Sequence, residues 1–440
     1  MRRRRVLDPA LRQLLRNAGW LLLSDGTVLV AGLLGTLVAA RALGAQEFGR
    51  LTLVSSVIGV AHLLVDVRAW EAVTRYLSEF TSRRQPGLAL ATLKLAVLAE
   101  GGVAVLGFGL VWLASGLVAT RLFKDPSLQP LILLAAATLV VTAFDRTARA
   151  VLRVFDRFGA LGLCSAIEAV LSLVLVLAAV TAGARAKGVL VAHLVAAAVG
   201  AALLLAVAGR EVRIRLWAAR ASARVSAVSR YRKEMLAFVG HSAVRATLKV
   251  LTRRFDLILL GHFRSPAEVG TYGAALRLAQ VMEEISDPLY FAAFPQLARA
   301  WVEARDEFFR LVRLMAIGLA VVTSAVVIVG AVAAPLIVSL ALGPTYAAAA
   351  DPLRLLLFST GVAVATLWAT PAMLGSGHPA AATAAATAGA AVLAVLLVVL
   401  VPAWGVEGAA WARVGGALGY LAVVLPWLVR AKRRTLRSTR

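Results

Sequence analysis

One cysteine, Cys164, stands in the whole chain of 440 residues. It lies inside an apolar run, so no intramolecular disulfide can form and no cysteine-based metal site is suggested. Charge is scarce, at 16% of residues, and acids are scarcer than bases, 23 against 47. Other signatures are missing too. There is no Gly-rich phosphate loop, which argues against an ATPase, and no zinc-protease helix motif. No segment assigned to the outer side exceeds about 20 residues, too short for the active-site loop of a membrane glycosyltransferase, polymerase or ligase. The chain therefore reads as a non-enzyme with no cofactor.

Apolar residues are abundant instead. They make up 60% of the chain, and the mean hydropathy is +0.84. Apolar runs of roughly 20 residues recur throughout, each long enough to cross a hydrocarbon core of about 30 Å. The runs are continuous rather than alternating, which argues against a β-barrel. The reading is an all-α polytopic membrane protein of about twelve transmembrane helices. Spans are expected near 18–40, 49–69, 88–113, 131–150, 158–181, 188–208, 235–260, 268–292, 311–334, 352–374, 380–402 and 405–429. The opening "MRRRRVLDPALRQLLRNAGW" reads as a basic tail and interfacial helix leading into the first span.

A net charge of +24 would point to nucleic acid in a soluble protein. Here the bases cluster in alternate loops and in the tails, so anionic membrane lipids are the expected partner and nucleic acid is not. With both termini inside, the inner segments hold several times more arginine and lysine than the outer ones. The outer ones keep only Arg41, Arg121, Lys124, Arg185, Lys187 and Arg264.

Three domains follow: a six-helix bundle over 1–208, a basic amphipathic linker over 209–234, and a second six-helix bundle with a basic tail over 235–440. The linker sequence "REVRIRLWAARASARVSAVSRYRK" suits a helix lying on the inner leaflet. The halves look repeated. "ALGAQEFGRLTLVSSVIGV" and "LGHFRSPAEVGTYGAALRLAQ" place Glu47 and Gly49 against Glu268 and Gly270 at one offset. The stretches 154–188 and 375–408 share nearly the same offset. Parallel repeats of six spans are the build of two-bundle transporters.

Charges inside the spans cost roughly 3 kcal/mol or more when they face lipid, so each needs a reason. On span seven His241, Arg245, Lys249, Thr252, Arg253 and Asp256 share one helix face. A cationic stripe of this kind favours an anionic ligand such as pyrophosphate. Arg245, Lys249 and Arg253, with Arg277 from span eight, are the candidate anion site. Asp25, Asp66, Glu71, Arg75, Glu168, Asp256, Glu284 and Asp287 are candidate cavity or ion-coupling residues, for a proton or sodium gradient. His193 reads as a buried polar contact. Structural ion pairing is the alternative for any of these charges.

Two stretches carry a resemblance. "RALGAQEFGRLTLVSSVIGVAHLLVDVRAWEAVTRYLSEF" and "TRRFDLILLGHFRSPAEVGTYGAALRLAQVMEEISDPLYFAAFPQLARA" resemble the polysaccharide-transporter flippases of the multidrug/oligosaccharidyl-lipid/polysaccharide exporter superfamily. "LGPTYAAAADPLRLL" is similar to that family's turn before span ten. The resemblance implies a bacterial or archaeal inner-membrane flippase. Its implied substrate is a polyprenyl-pyrophosphate-linked oligosaccharide for O-antigen, capsule or exopolysaccharide synthesis, with a polysaccharide polymerase as a further partner. Val67-Arg68 departs from the Gly-Leu common in that family. Twelve spans, rather than about fourteen, argue against the lipid II branch. Two other readings stand beside it: a cation-coupled multidrug antiporter of the same fold, and a non-transporting scaffold or enzyme subunit in glycan assembly.

Overall fold

The computed structural model describes residues 9–65, 69–220 and 254–438. Among these there is no strand and helix dominates. The first half holds α1 (Pro9–Val65), α2 (Ala69–Ser82), α3 (Pro86–Leu117), α4 (Leu128–Val141), α5 (Asp145–Val154), α6 (Phe158–Thr181) and α7 (Ala186–Leu216). The second holds α8 (Pro266–Glu303), α9 (Arg305–Ala341), α10 (Ala350–Ala365), α11 (Ala369–Gly375) and α12 (Pro379–Ser438). Residues 254–263 are also helical.

Eight helical segments have the length and hydropathy to cross a bilayer, which makes this a multi-pass membrane protein. Two are too long for a single crossing, at 41 and 55 residues against the roughly 20 that suffice. Each is broken by a glycine in a conformation closed to other residues: Gly44 at φ 71, ψ 169 and Gly405 at φ 58, ψ −125. Each therefore carries two of the expected spans. Helix α8 has 38 residues but falls outside the eight segments. Arg277, Glu283, Glu284 and Asp287 interrupt its hydropathy.

Two expected spans are broken in the middle. Span four is α4 plus α5, parted at Thr142-Ala143-Phe144, and span ten is α10 plus α11, parted at Thr366-Leu367-Trp368. The breaks match in backbone, with Thr142 at φ −96, ψ 10 and Thr366 at φ −101, ψ 9. They match in side chain as well, since each threonine Oγ1 donates to the carbonyl four residues back. Backbone with positive φ also recurs in pairs: Lys124 with Gly343, Asp156 with Gly377, and Gly183 with Gly405. Each pair is about 220 residues apart, the offset of the sequence repeat.

The chain forms two compact units. Unit 1 is Met1–Ala39 with Val57–Val250, and unit 2 is Ala40–Ser56 with Leu251–Arg440. The core of unit 1 gathers Tyr76, Phe80, Leu90, Leu152 and Phe155. That of unit 2 gathers Phe308, Trp368, Met373 and Trp427. Two boundaries differ from the sequence reading. Helix α7 runs unbroken through the expected start of the linker to Leu216. It is held there because Leu216 is buried and Glu211 pairs with Arg157 at 2.8 Å and Arg215 at 3.1 Å.

The second difference is the segment Ala40–Ser56, which packs with the C-terminal half. The reason is a crossing of bare backbone. A Cβ on Gly49 would stand 1.6 Å from the Pro266 carbonyl oxygen, and one on Gly270 would stand 2.0 Å from that of Ala45. Gly273 faces Thr52 in the same contact. The two repeated motifs thus lie against each other through small residues, Ala45, Gly49 and Thr52 on one helix and Gly270 and Gly273 on the other. Tyr346 adds a hydrogen bond from its hydroxyl to the Ala40 carbonyl, at 2.9 Å.

Candidate functional site

Each unit holds half-open, partly polar cavities among its own helices. In unit 1 a cavity of about 450 Å³ lies between α1, α5, α6 and α7. Small residues on α1, namely Ala31, Gly32 and Gly35, leave the room, and Asp25 and Thr36 bring polarity. Arg149 donates to Ser165 Oγ at 2.6 Å and lies 3.5 Å from the Glu168 carboxylate. A Cβ on Gly200 would stand 2.7 Å from that carboxylate, so α7 is hollowed where Glu168 rests. His193 completes the wall. It lies on the α7 face that borders the cavity.

In unit 2 two adjoining cavities, about 310 and 240 Å³, share Glu283, Ala363 and Ala417. The larger is lined by Asp287 and Tyr290 from α8, Thr366 and Thr370 at the broken span, and Tyr420 from α12. The smaller adds Gln280, Ser359, Thr360 and Arg413. Thr370 Oγ1 and the Tyr420 hydroxyl lie 3.0 Å apart in a hydrogen bond. Neither Glu283 nor Asp287 forms an ion pair among the described residues.

Behind this wall sits a buried triad. Asp256 is fully buried and accepts at Oδ2 from Arg413 Nε and from the Tyr272 hydroxyl, both at 2.7 Å. Its Oδ1 accepts the Leu257 N–H at 2.9 Å. A charge at this depth is tolerated only with its partner in place and its lone pairs filled. Asp256 is therefore a structural counter-ion to Arg413 rather than a cavity group.

The structure brings together Asp25 and Glu168 in unit 1, and sets Asp287 on the cavity of unit 2. Arg277 and Glu284 pair with one another along α8. Glu71 and Arg75 lie on α2, where the Arg75 guanidinium is 5.3 Å from the Tyr76 ring centroid. Neither borders the cavities above. Asp66, Arg245, Lys249 and Arg253 lie outside the described residues. Among the described residues the unit 2 cavities carry two acids, Glu283 and Asp287, and one cation, Arg413. Sequence reasoning missed Arg413, Thr370, Tyr290 and Tyr420. The one signal for Arg413 was an arginine set among alanines and glycines in "AAWARVGG".

Comparison with known proteins fits this architecture. Among curated proteins, none matches the chain in sequence. The fold is that of multidrug/oligosaccharidyl-lipid/polysaccharide (MOP) superfamily transporters. An inward-facing multidrug resistance MATE family transporter of the MOP superfamily superposes with a TM-score of 0.73 at 14% identity, over 94% of this chain and 96% of that one. The lipid II flippase MurJ, in an inward closed conformation, gives 0.71 at 9% identity, over 92% and 87%. The Vibrio cholerae MATE transporter VcmN in its bent form gives 0.56 at 18% identity, over 97% and 98%. The model of the family described as "Polysaccharide biosynthesis protein" matches residues 14–301. With that match spanning more than half its length, the chain belongs to the polysaccharide biosynthesis protein family.

Proposed function

We propose that the protein is a flippase that carries a polyprenyl-pyrophosphate-linked oligosaccharide from the inner to the outer leaflet, for the synthesis of O-antigen, capsule or exopolysaccharide. The observation that carries this reading is polar, titratable space built inside the membrane-spanning helices of a member of a polysaccharide biosynthesis family. A protein in this family with no such cavity would fit a scaffold better. The membrane is the cytoplasmic one of a bacterium or archaeon, and a polysaccharide polymerase receives the product.

In this mechanism the pyrophosphate is held by Arg245, Lys249, Arg253 and Arg277 through charge-assisted hydrogen bonds. Arg277 reaches it by exchanging its Glu284 partner for the phosphate. Movement follows alternating access of two repeat-related bundles. The cavity of Asp25, Arg149, Glu168 and His193 takes the coupling proton or sodium ion. Its lining supplies two carboxylates and an imidazole, and Arg149 holds Ser165 and Glu168 through its two terminal nitrogens.

The test is a flipping assay in proteoliposomes with a fluorescent polyprenyl-pyrophosphate glycan, comparing the natural chain with Arg245→Glu. Transport by the natural chain, lost in the variant at equal folded yield, supports the flippase and its anion site. Equal transport by both removes the role given to Arg245. A second reading has one observation in its favour: the acids and tyrosines of the unit 2 cavity are chemistry that also holds organic cations. Efflux of a fluorescent organic cation by the same vesicles, with no glycan movement, would favour a multidrug antiporter.

A further inference from the structure

We infer that the unit 2 cavity recognises the sugar of the lipid-linked substrate, through hydrogen bonds from the sugar hydroxyls to Glu283, Asp287, Thr370 and Tyr420. This rests on the flippase reading and deepens it. It assigns the glycan to unit 2 and separates its site from that of the pyrophosphate.

The chemistry of the lining carries the assignment. A cation needs acceptors only. A sugar hydroxyl donates and accepts at once, so its site must offer both. This wall does: carboxylates at Glu283 and Asp287, hydroxyls at Ser359, Thr360 and Thr370, and donors at Gln280 and Arg413. Carboxylates accept from two neighbouring hydroxyls at once, the geometry that vicinal diols present. The Thr370–Tyr420 hydrogen bond fixes one pair of hydroxyls before any ligand arrives. Pre-organised groups of this kind lose little freedom on binding.

Space and shape agree. The larger cavity, at about 310 Å³, sits at the low end of the roughly 300–1,000 Å³ of ligand pockets. Its neighbour through Glu283 gives room for a second sugar unit. The broken span leaves Thr366 and Thr370 on a wall that an unbroken apolar helix would present as carbon. At Gly389 and Gly416 the backbone itself lines the smaller cavity. The rings of Tyr290 and Tyr420 add flat apolar faces for the C–H side of a pyranose.

The experiment compares two probes in proteoliposomes: fluorescent polyprenyl pyrophosphate bearing no sugar, and the same lipid bearing each of a panel of mono- and disaccharides. Three variants are used, Asp287→Asn, Glu283→Gln and Tyr420→Phe, the last removing only an oxygen. Thermal unfolding confirms equal folding. Expected is a loss of about tenfold or more in transport of the preferred glycosylated lipid, with movement of the bare lipid within twofold of the natural chain. Equal loss for both probes, or none for either, overturns the sugar site and leaves the flippase standing. An organic cation competing with the glycosylated lipid, with competition lost in Asp287→Asn, overturns it in favour of a cation site. Movement of no probe by the natural chain refutes the flippase reading and this inference together.

Discussion

Replacing Gly49 by alanine places a carbon where a carbonyl oxygen already stands. The new Cβ would lie 1.6 Å from the Pro266 oxygen, 2.5 Å from its carbon and 3.0 Å from the Gly270 nitrogen. Ordinary contact begins at 3.4 Å, and the obstructing atoms are backbone, so no rotamer relieves the clash. The helices must part by roughly 2 Å, which forfeits much of the dispersion across the crossing. Overpacking of this kind costs about 1–3 kcal/mol. Gly102→Ala is the control, because nothing lies within 4 Å of its Cβ and an alanine favours the helix by about 0.5–1 kcal/mol. The two variants should therefore differ by about 1.5–4 kcal/mol, in opposite directions. Thermal unfolding in detergent, followed by tryptophan fluorescence, reads this as a lowered Tm for Gly49→Ala and an unchanged or raised one for Gly102→Ala. Equal Tm values would refute the crossing as a point of close packing.

Three further outcomes follow from the geometry. Arg413→Leu strands the buried carboxylate of Asp256 and should destabilise by about 3–5 kcal/mol, while the double change with Asp256→Leu recovers part of it; no recovery in thermal unfolding would refute a paired charge. Gly200→Ala pushes the Glu168 carboxylate away from Arg149 and should weaken the dependence of transport on a proton or sodium gradient with little change in Tm; unaltered gradient dependence would refute that cavity as the coupling site. Arg264→Ala releases the Pro402 and Ala403 carbonyls, now bonded at 3.0 and 3.2 Å, and should lower the unfolding free energy by about 1–3 kcal/mol. Both bonds leave the single nitrogen Nη2, so Arg264→Lys, whose ammonium carries three N–H donors, should restore part of it.

The fold was legible because crossing a bilayer constrains composition so strongly. Apolar run length gives the membrane-spanning character, and the kinks at Gly44 and Gly405 fall between expected spans, whereas the breaks at Thr142 and Thr366 carry no glycine to announce them. Arg41 and Arg264 stood out as two of the few outer arginines, but their purpose was hidden. Each donates to free carbonyls at a helix end or kink, Leu340 for Arg41 and Pro402 with Ala403 for Arg264. Glu268, noticed as a repeat mark beside Glu47, turns out to cap α8 through Ser265. The candidate site was harder to read. Helical periodicity grouped Asp256 with the cationic stripe, although its partners Tyr272 and Arg413 come from distant sequence. Periodicity assigns a face to a residue. It does not say which neighbour that face meets, so charges bound for a cavity and charges bound for a buried pair look alike.

The repeat sharpens the contrast between the two cavities. Past the turns at Asp156 and Gly377, the offset places Glu168 against Gly389 or Ala390, both on the smaller cavity of unit 2. Where one half carries a carboxylate ion-paired to Arg149, the other carries bare backbone or a methyl group. The acids of the unit 2 cavity come instead from α8, at Glu283 and Asp287. One scaffold has therefore been filled in two ways. In unit 1, Asp25, the Arg149–Glu168 pair and His193 line one cavity. In unit 2 the acids stand on α8 and hydroxyls line the facing helices, leaving two smaller adjoining spaces with mixed donors and acceptors. Under the proposed function the first kind of site takes the coupling ion and the second the polar cargo. Divergence of a duplicated bundle supplies them without a new fold.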